Sequence, residues 1–230
     1  MSFKEKDIGK RFLRVCPRLN NPSTFADVTV VRSEMPSDQR LLARRERADR
    51  ERSEVRARIL QSARITLREG SMFDLTIMSL ASDVGVSRQT IYRHFPTVQD
   101  VFRALSDEVI ADVYSNLPDL PFSDPGYITA FVDMAVKTFC ADSKVVRVLV
   151  LTSAIGRATG DWVQIDPEQV LCSALTEMPV VHRPISPDPK VAARVLITYF
   201  RGALYGWAAG FLTDNEFEQE VRKAGLLVFA

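Results

Sequence analysis

A glycine and a serine two residues apart, Gly85 and Ser87, separate two short apolar patterns. The first puts Ile77, Leu80, Ala81 and Val84 on one helical face, and the second puts Ile91 and Phe95 four residues apart before Pro96. Asp74 or Thr76 can cap the first helix, Gly85 suits the left-handed backbone that closes it, and Ser87 suits the N-cap of the second. A short helix, a glycine turn and a second short helix form a helix-turn-helix, whose second helix enters the major groove of DNA. The plainer alternative is a helical hairpin with a solvated polar face. Residues 86–99 contain no acid, whereas exposed helix faces are usually rich in Glu and Lys.

Charge is divided along the chain in the same sense. The net charge of +1 over 230 residues conceals +2 over residues 1–39, +5 over 40–104 and −6 over 105–230. The basic residues between 40 and 104 are all Arg, whose planar fork pairs with phosphate and guanine through two parallel hydrogen bonds. A nucleic-acid module followed by a part that need not touch DNA fits this asymmetry.

Three segments follow, at 1–39, 40–104 and 105–230. Residues 1–39 show no sustained period and are read as poorly ordered, with a short strand possible at Asp27–Val31. Met35 offers a natural start, so residues 1–34 are open to being an artefact of start-site choice. The stretch from Arg40 to Arg58 holds eight Arg and four acids and leads into Val55, Ile59, Leu60, Ala63 and Leu67, a helix expected to end at Gly70. Further helical patterns cover Val98–Asn116, 127–140, 144–155, 167–178, 189–212 and 214–229. The chain reads as all-α, with no run of alternating strands.

The stretch from Leu75 to Phe102 resembles the DNA-binding signature of the tetracycline-repressor (TetR) family of transcription regulators. The resemblance is carried by Leu75-Thr76, Leu80-Ala81, Gly85-Val86-Ser87, Thr90-Ile91-Tyr92 and His94-Phe95-Pro96. It implies a three-helix DNA-binding region over roughly residues 53–100, followed by a helical ligand-binding and dimerisation part. It further implies that Arg88 and Gln89 address base edges while Thr90, Tyr92 and His94 hold phosphates, with Arg93 suited to either and Thr76 and Ser87 completing the DNA-facing set. Arg pairs with guanine and Gln with adenine, and hydroxyls or imidazole donate to phosphate oxygens. Tyr92 and His94 each have a competing structural role, as a ring packed on the first helix and as a packing residue at the helix end. The chain departs from the family pattern at Val98, where a phosphate-gripping Lys is common, and at Gln89, where a small residue is common. The Arg-rich lead could replace the lost contact, or could be a solvated charged helix.

Gly202, Gly206 and Gly210 lie four apart, a side-chain-free stripe suited to close approach by a helix of the same chain or of a second subunit. Phe217, Val221 and Ala224 share one face of the last helix. In the family the last two helices form a four-helix dimer interface, so these six residues are the expected homodimer contacts. A dimer presents two reading helices, about 34–36 Å apart, to a palindromic operator. Tyr127, Phe131, Met134, Phe139, Leu151, Trp162 and Tyr199 are candidates to line a pocket for a largely apolar small-molecule effector, although each taken singly suits a plain core.

Three scattered cysteines make neither a disulfide framework nor a zinc site, and His94 and His182 stand outside any metal spacing. There is no nucleophile elbow or phosphate loop. An enzyme, a metal site and a cofactor are therefore not expected. Val191–Leu212 is interrupted by Arg194 and Arg201, an expensive pair for a lone membrane span. The expected protein is a cytoplasmic, dimeric, ligand-released repressor. A DNA-binding dimer controlled by a protein partner is the alternative, and an empty, ligand-sized cavity would favour the sensor.

Overall fold

Past Arg40, each apolar series with a spacing of three to four is helical in the computed structural model, which describes residues 36–158, 167–178 and 188–229. The possible strand at Asp27–Val31, Trp162 and His182 lie outside the described residues. The chain divides into two units, Met1–Arg50 and Glu51–Ala230. The helices are α1 (Pro36–Glu69), α2 (Ile77–Val84), α3 (Arg88–His94), α4 (Val98–Ser115), α5 (Tyr127–Cys140), α6 (Ser143–Ala158), α7 (Pro167–Glu177), α8 (Pro189–Ala208) and α9 (Asp214–Phe229). No strand occurs among the described residues.

Helix α1 takes in Pro36–Gln39, which the sequence pattern leaves in the extension. Every residue from Gln39 to Glu54 is exposed, and burial begins at Val55 and is complete at Ile59. The helix closes where the Gly70 N–H donates to the Thr66 carbonyl at 2.9 Å.

The short helices begin and end where side chains satisfy their free backbone groups. Of the two caps open for α2, Thr76 is the one used: its hydroxyl accepts from the Ser79 N–H at 3.0 Å and the Ser79 hydroxyl accepts from the Thr76 N–H at 3.0 Å. Gly85 closes α2 at φ 70° and ψ 40°, with its own N–H on the Ser82 carbonyl and the Val86 N–H on the Ala81 carbonyl. Arg58 donates a further side-chain hydrogen bond to the Val84 carbonyl. Ser87 caps α3 by accepting from the Thr90 N–H at 3.1 Å.

Three apolar clusters organise the second unit. One joins Ile59, Leu80, Ile91, Phe95 and Leu105 of α1–α4 to Val145 and Leu149 of α6. A second joins α5, α7 and α8 through Tyr127, Leu175 and Ile197. The third joins Val113 of α4 to Phe139, Val150, Trp207, Phe217 and Val221. Burying each large aliphatic side chain contributes about 1.5–3 kcal/mol. The boundary that charge suggests near residue 104 thus falls inside α4, a continuous helix that serves the first cluster and the third.

Helix α8 ends at Ala208, four residues short of the expected 212. Gly210 turns left-handed at φ 85°, its N–H donating to the Trp207 carbonyl at 3.0 Å and that of Phe211 to the Gly206 carbonyl at 2.9 Å. Apolar patterning continues through this turn because Phe211 and Leu212 are hydrophobic, so periodicity alone overshoots.

Candidate functional site

The second short helix carries its polar residues outward because Ile91 and Phe95 are drawn into the first cluster. Arg88, Gln89, Tyr92 and Arg93 are exposed. Tyr92 is 53% exposed, so more than its hydroxyl reaches solvent. Thr90 is half-buried, and its hydroxyl pairs with that of Ser87 at 2.9 Å. Thr76 stands exposed at the start of α2 with its hydroxyl engaged in the cap.

His94 is half-buried at the end of α3. Burial holds its pKa below the ordinary value near 6.5, and the positive charges of Arg52, Arg56 and Arg93 push it the same way. The Arg56 guanidinium also lies 4.5 Å from the centroid of the Phe95 ring. Arg52 and Arg56 thus belong to the basic set around the reading helix. In the sequence they are two among eight arginines of one run, with nothing to single them out.

The N-terminus of α4 shows why Val98 matters. The Asp100 carboxylate accepts from the Thr97 N–H at 3.0 Å and from the Thr97 hydroxyl at 2.8 Å. The helix start that could attract a phosphate is therefore capped by an anion of the chain itself.

A cavity of about 150 Å³ lies among α4, α5, α6 and α8. Phe131 and Phe139 line it, as do Phe200, Leu149, Leu196 and Val113. The other candidate lining residues lie elsewhere. Tyr127 is sealed in the second cluster, edge-on to Phe122 at 4.8 Å between centroids, and burial pushes its phenol up to about 12. Met134 packs against the second and third clusters, Leu151 is exposed on α6, and Tyr199 donates to the Glu220 carboxylate. Trp162 is outside the described residues.

Sequence reasoning missed the wall formed by α4, namely Ser106, Val109, Ile110 and Val113. The available signal was a serine on an otherwise apolar face beside Phe102, Leu105 and Val109. Ser106 is 6% exposed, and its hydroxyl makes no hydrogen bond among the described residues. A buried hydroxyl without a partner costs about 1–3 kcal/mol. The other buried serine of the wall, Ser153, donates to the Val150 carbonyl at 2.8 Å.

The expected interface residues need correction. Phe217 and Val221 face the core of their own chain, at 0% and 1% exposure, and Phe217 stacks on Trp207 with centroids 5.0 Å apart. Their hydrophobicity marked a buried face without showing that α8 of the same chain covers it. Nor do the glycines form an open stripe: Gly206 faces Leu212, and Gly210 lies beyond the helix in the left-handed turn. Gly202 alone of the three is helical with open space beside it. Ala224 belongs to α9, in a stretch whose side chains are not among those described. The exposed face of α8 instead carries Val191, Val195, Thr198, Gly202 and Tyr205, spaced three to four apart.

No family model matches the sequence. No curated protein matches it. Solved structures do resemble it. A SmeT–triclosan complex superposes with a TM-score of 0.56 at 15% identity, covering 77% of this chain and 92% of the other. A TetR transcriptional regulator from Rhodococcus sp. RHA1 superposes with a TM-score of 0.54 at 18% identity, covering 76% and 96%. The helical order, the Ser87-capped helix α3 and these superpositions together give the chain the fold of a TetR transcriptional regulator.

Proposed function

We propose that the protein is a sequence-specific DNA-binding transcription regulator that acts as a homodimer on a palindromic operator and is released as a repressor by a small apolar ligand. The observation that carries this reading is the acid-free exposed face of α3, with Arg88, Gln89, Tyr92 and Arg93 outward while Ile91 and Phe95 lock the helix from behind. Arg88 and Gln89 read base edges, and Thr90, Tyr92 and His94 hold backbone oxygens, with Thr76 and Ser87 at the adjoining helix starts. The open face of α8 around Val195 and Tyr205 is the surface offered to the second subunit.

The cavity supports the sensor over the dimer run by a protein partner. In α4, Leu105 enters the cluster beneath the reading helix while its neighbour Ser106 lines the cavity. A ligand that favours one setting of α4 shifts the spacing of the two reading helices, and operator affinity changes by its differential affinity for the two settings. The similar SmeT structure is a complex with triclosan, which agrees with an apolar effector here.

Fluorescence anisotropy with DNA from the protein's own upstream region, against a scrambled duplex and at two salt concentrations, tests the reading. Selective binding that weakens with salt in the wild type and loses selectivity in Arg88→Ala supports it. Equal binding to every duplex in a genome-derived library defeats it.

A further inference from the structure

The cavity is small for a sensor, and its chemistry is narrow. An apolar cavity of roughly its volume is known to stay dry and to accept benzene. Phe131, Phe139 and Phe200 supply three rings to the wall, and aromatic ligands pack on such rings edge-to-face or offset. No carboxylate lines it among the described residues, so a cation would enter without a counter-charge there. Among the described residues Arg201 is the one charged lining residue, and it is already engaged by another group of the protein. An anion would have to draw it away.

Of the other polar residues of the wall, Tyr114 is engaged by another group of the protein and Tyr205 is exposed to solvent, which leaves the two serines. The Ser106 hydroxyl is buried and makes no hydrogen bond among the described residues, whereas the Ser153 hydroxyl is satisfied within its own helix. We propose that the cavity takes an uncharged single-ring aromatic carrying one hydroxyl, of the phenol class, whose oxygen pairs with the Ser106 hydroxyl. A hydroxyl is suited to the place because it both donates and accepts, and so pairs with serine in either direction. Because Ser106 lies on α4, the polar atom of the ligand is held by the helix that continues from beneath the DNA-reading element. This rests on the sensor reading given above and adds the class of ligand and its anchoring residue.

Isothermal titration calorimetry of the full chain, without DNA, tests it with phenol, toluene, benzoate and diphenyl ether as probes. Phenol and toluene are expected to bind the wild type, with phenol the tighter, and benzoate and diphenyl ether to bind more weakly than either. In Ser106→Ala, phenol affinity is expected to fall about fivefold to tenfold, to the level of toluene. Toluene, whose affinity should move by no more than about twofold, reports that the variant is folded. Four results overturn the proposal: no binding of phenol, tighter binding of benzoate, tighter binding of diphenyl ether, or an equal effect of Ser106→Ala on phenol and toluene. The wild-type series decides the ligand class even if the variant fails to fold. Operator binding is read separately by anisotropy. A chain that binds phenol and no operator defeats the regulator reading alone, and one released from its operator only by diphenyl ether defeats the phenol class alone.

Discussion

The guanidinium of Arg147 lies 4.6 Å from the centroid of the Trp207 ring while its Nη1 donates to the Trp207 carbonyl at 2.6 Å. Its Nη2 reaches the Leu212 carbonyl at 3.1 Å and the Asp214 carboxylate at 2.9 Å. Asp214 also accepts from the Trp207 indole at 2.7 Å. One α6 side chain therefore fastens the turn between α8 and α9. Arg147→Ala should cost about 2–4 kcal/mol in urea unfolding, since it removes three hydrogen bonds to the turn together with the contact on the Trp207 ring. Arg147→Lys should recover less than half of the loss, because an ammonium cannot make the fork. A loss in Arg147→Ala below about 0.5 kcal/mol would show the turn to be held by packing alone.

At the start of α4, Asp100 already occupies the position an operator phosphate could take. Val98→Lys should restore a phosphate contact beside it, tightening operator binding and steepening the dependence of log K on log salt by about 1. An unchanged slope in salt-titrated anisotropy would mean that this helix start lies away from the DNA.

His94 gives two pH dependences of opposite sign. Burial and three arginines hold its pKa below 6.5, so the folded chain binds fewer protons than the unfolded one. Its contribution to stability is thus complete above the ordinary value and is lost as pH falls through the lowered one. On the proposed contact, a phosphate against the imidazole would raise the pKa again, and operator binding should take up a proton. Affinity should rise between about pH 8 and about pH 6, and His94→Gln should flatten that rise and also reduce the loss of stability on acidification. Proton uptake unchanged in His94→Gln, measured by titration in buffers of different ionisation enthalpy, would assign it to another group.

Val195 is 46% exposed in the middle of the open α8 face. Val195→Arg should give a folded monomer in sedimentation velocity, with thermal unfolding close to that of an isolated subunit and operator binding much weakened, because a single reading helix spans only a few base pairs. A dimer that survives this change would place the subunit contact on another surface.

Helix ends were legible in the sequence where a single residue decides them. Gly85, Ser87 and Pro96 bound the reading helix as their chemistry dictates, and the α5 pattern at 127–140 matches Tyr127–Cys140. Periodicity failed where two different physical situations produce one pattern. Phe217 and Val221 read as an apolar face whether α8 or a second subunit covers it. Phe131 and Tyr127 sit on one helix with similar burial, yet one borders empty space and the other is sealed, a difference set by neighbours far away in the chain. Arg52 and Arg56 became distinguishable from the other arginines of their run only once α1 was set against His94.

Val145 and Leu149 complete the cluster beneath the helix-turn-helix although they belong to α6, more than forty residues beyond α3. The helix-turn-helix is consequently not a transplantable module. A chimera joined between α3 and α4, or a fragment ending at residue 104, would inherit a core with its floor missing. On the proposed function, recombination would exchange operator specificity between such proteins only when the donor helix-turn-helix and the recipient α6 already fit. If α3 reads the operator as proposed, specificity should therefore drift by substitution on its outer face, where the exposed Arg88, Gln89 and Tyr92 can change without disturbing that floor.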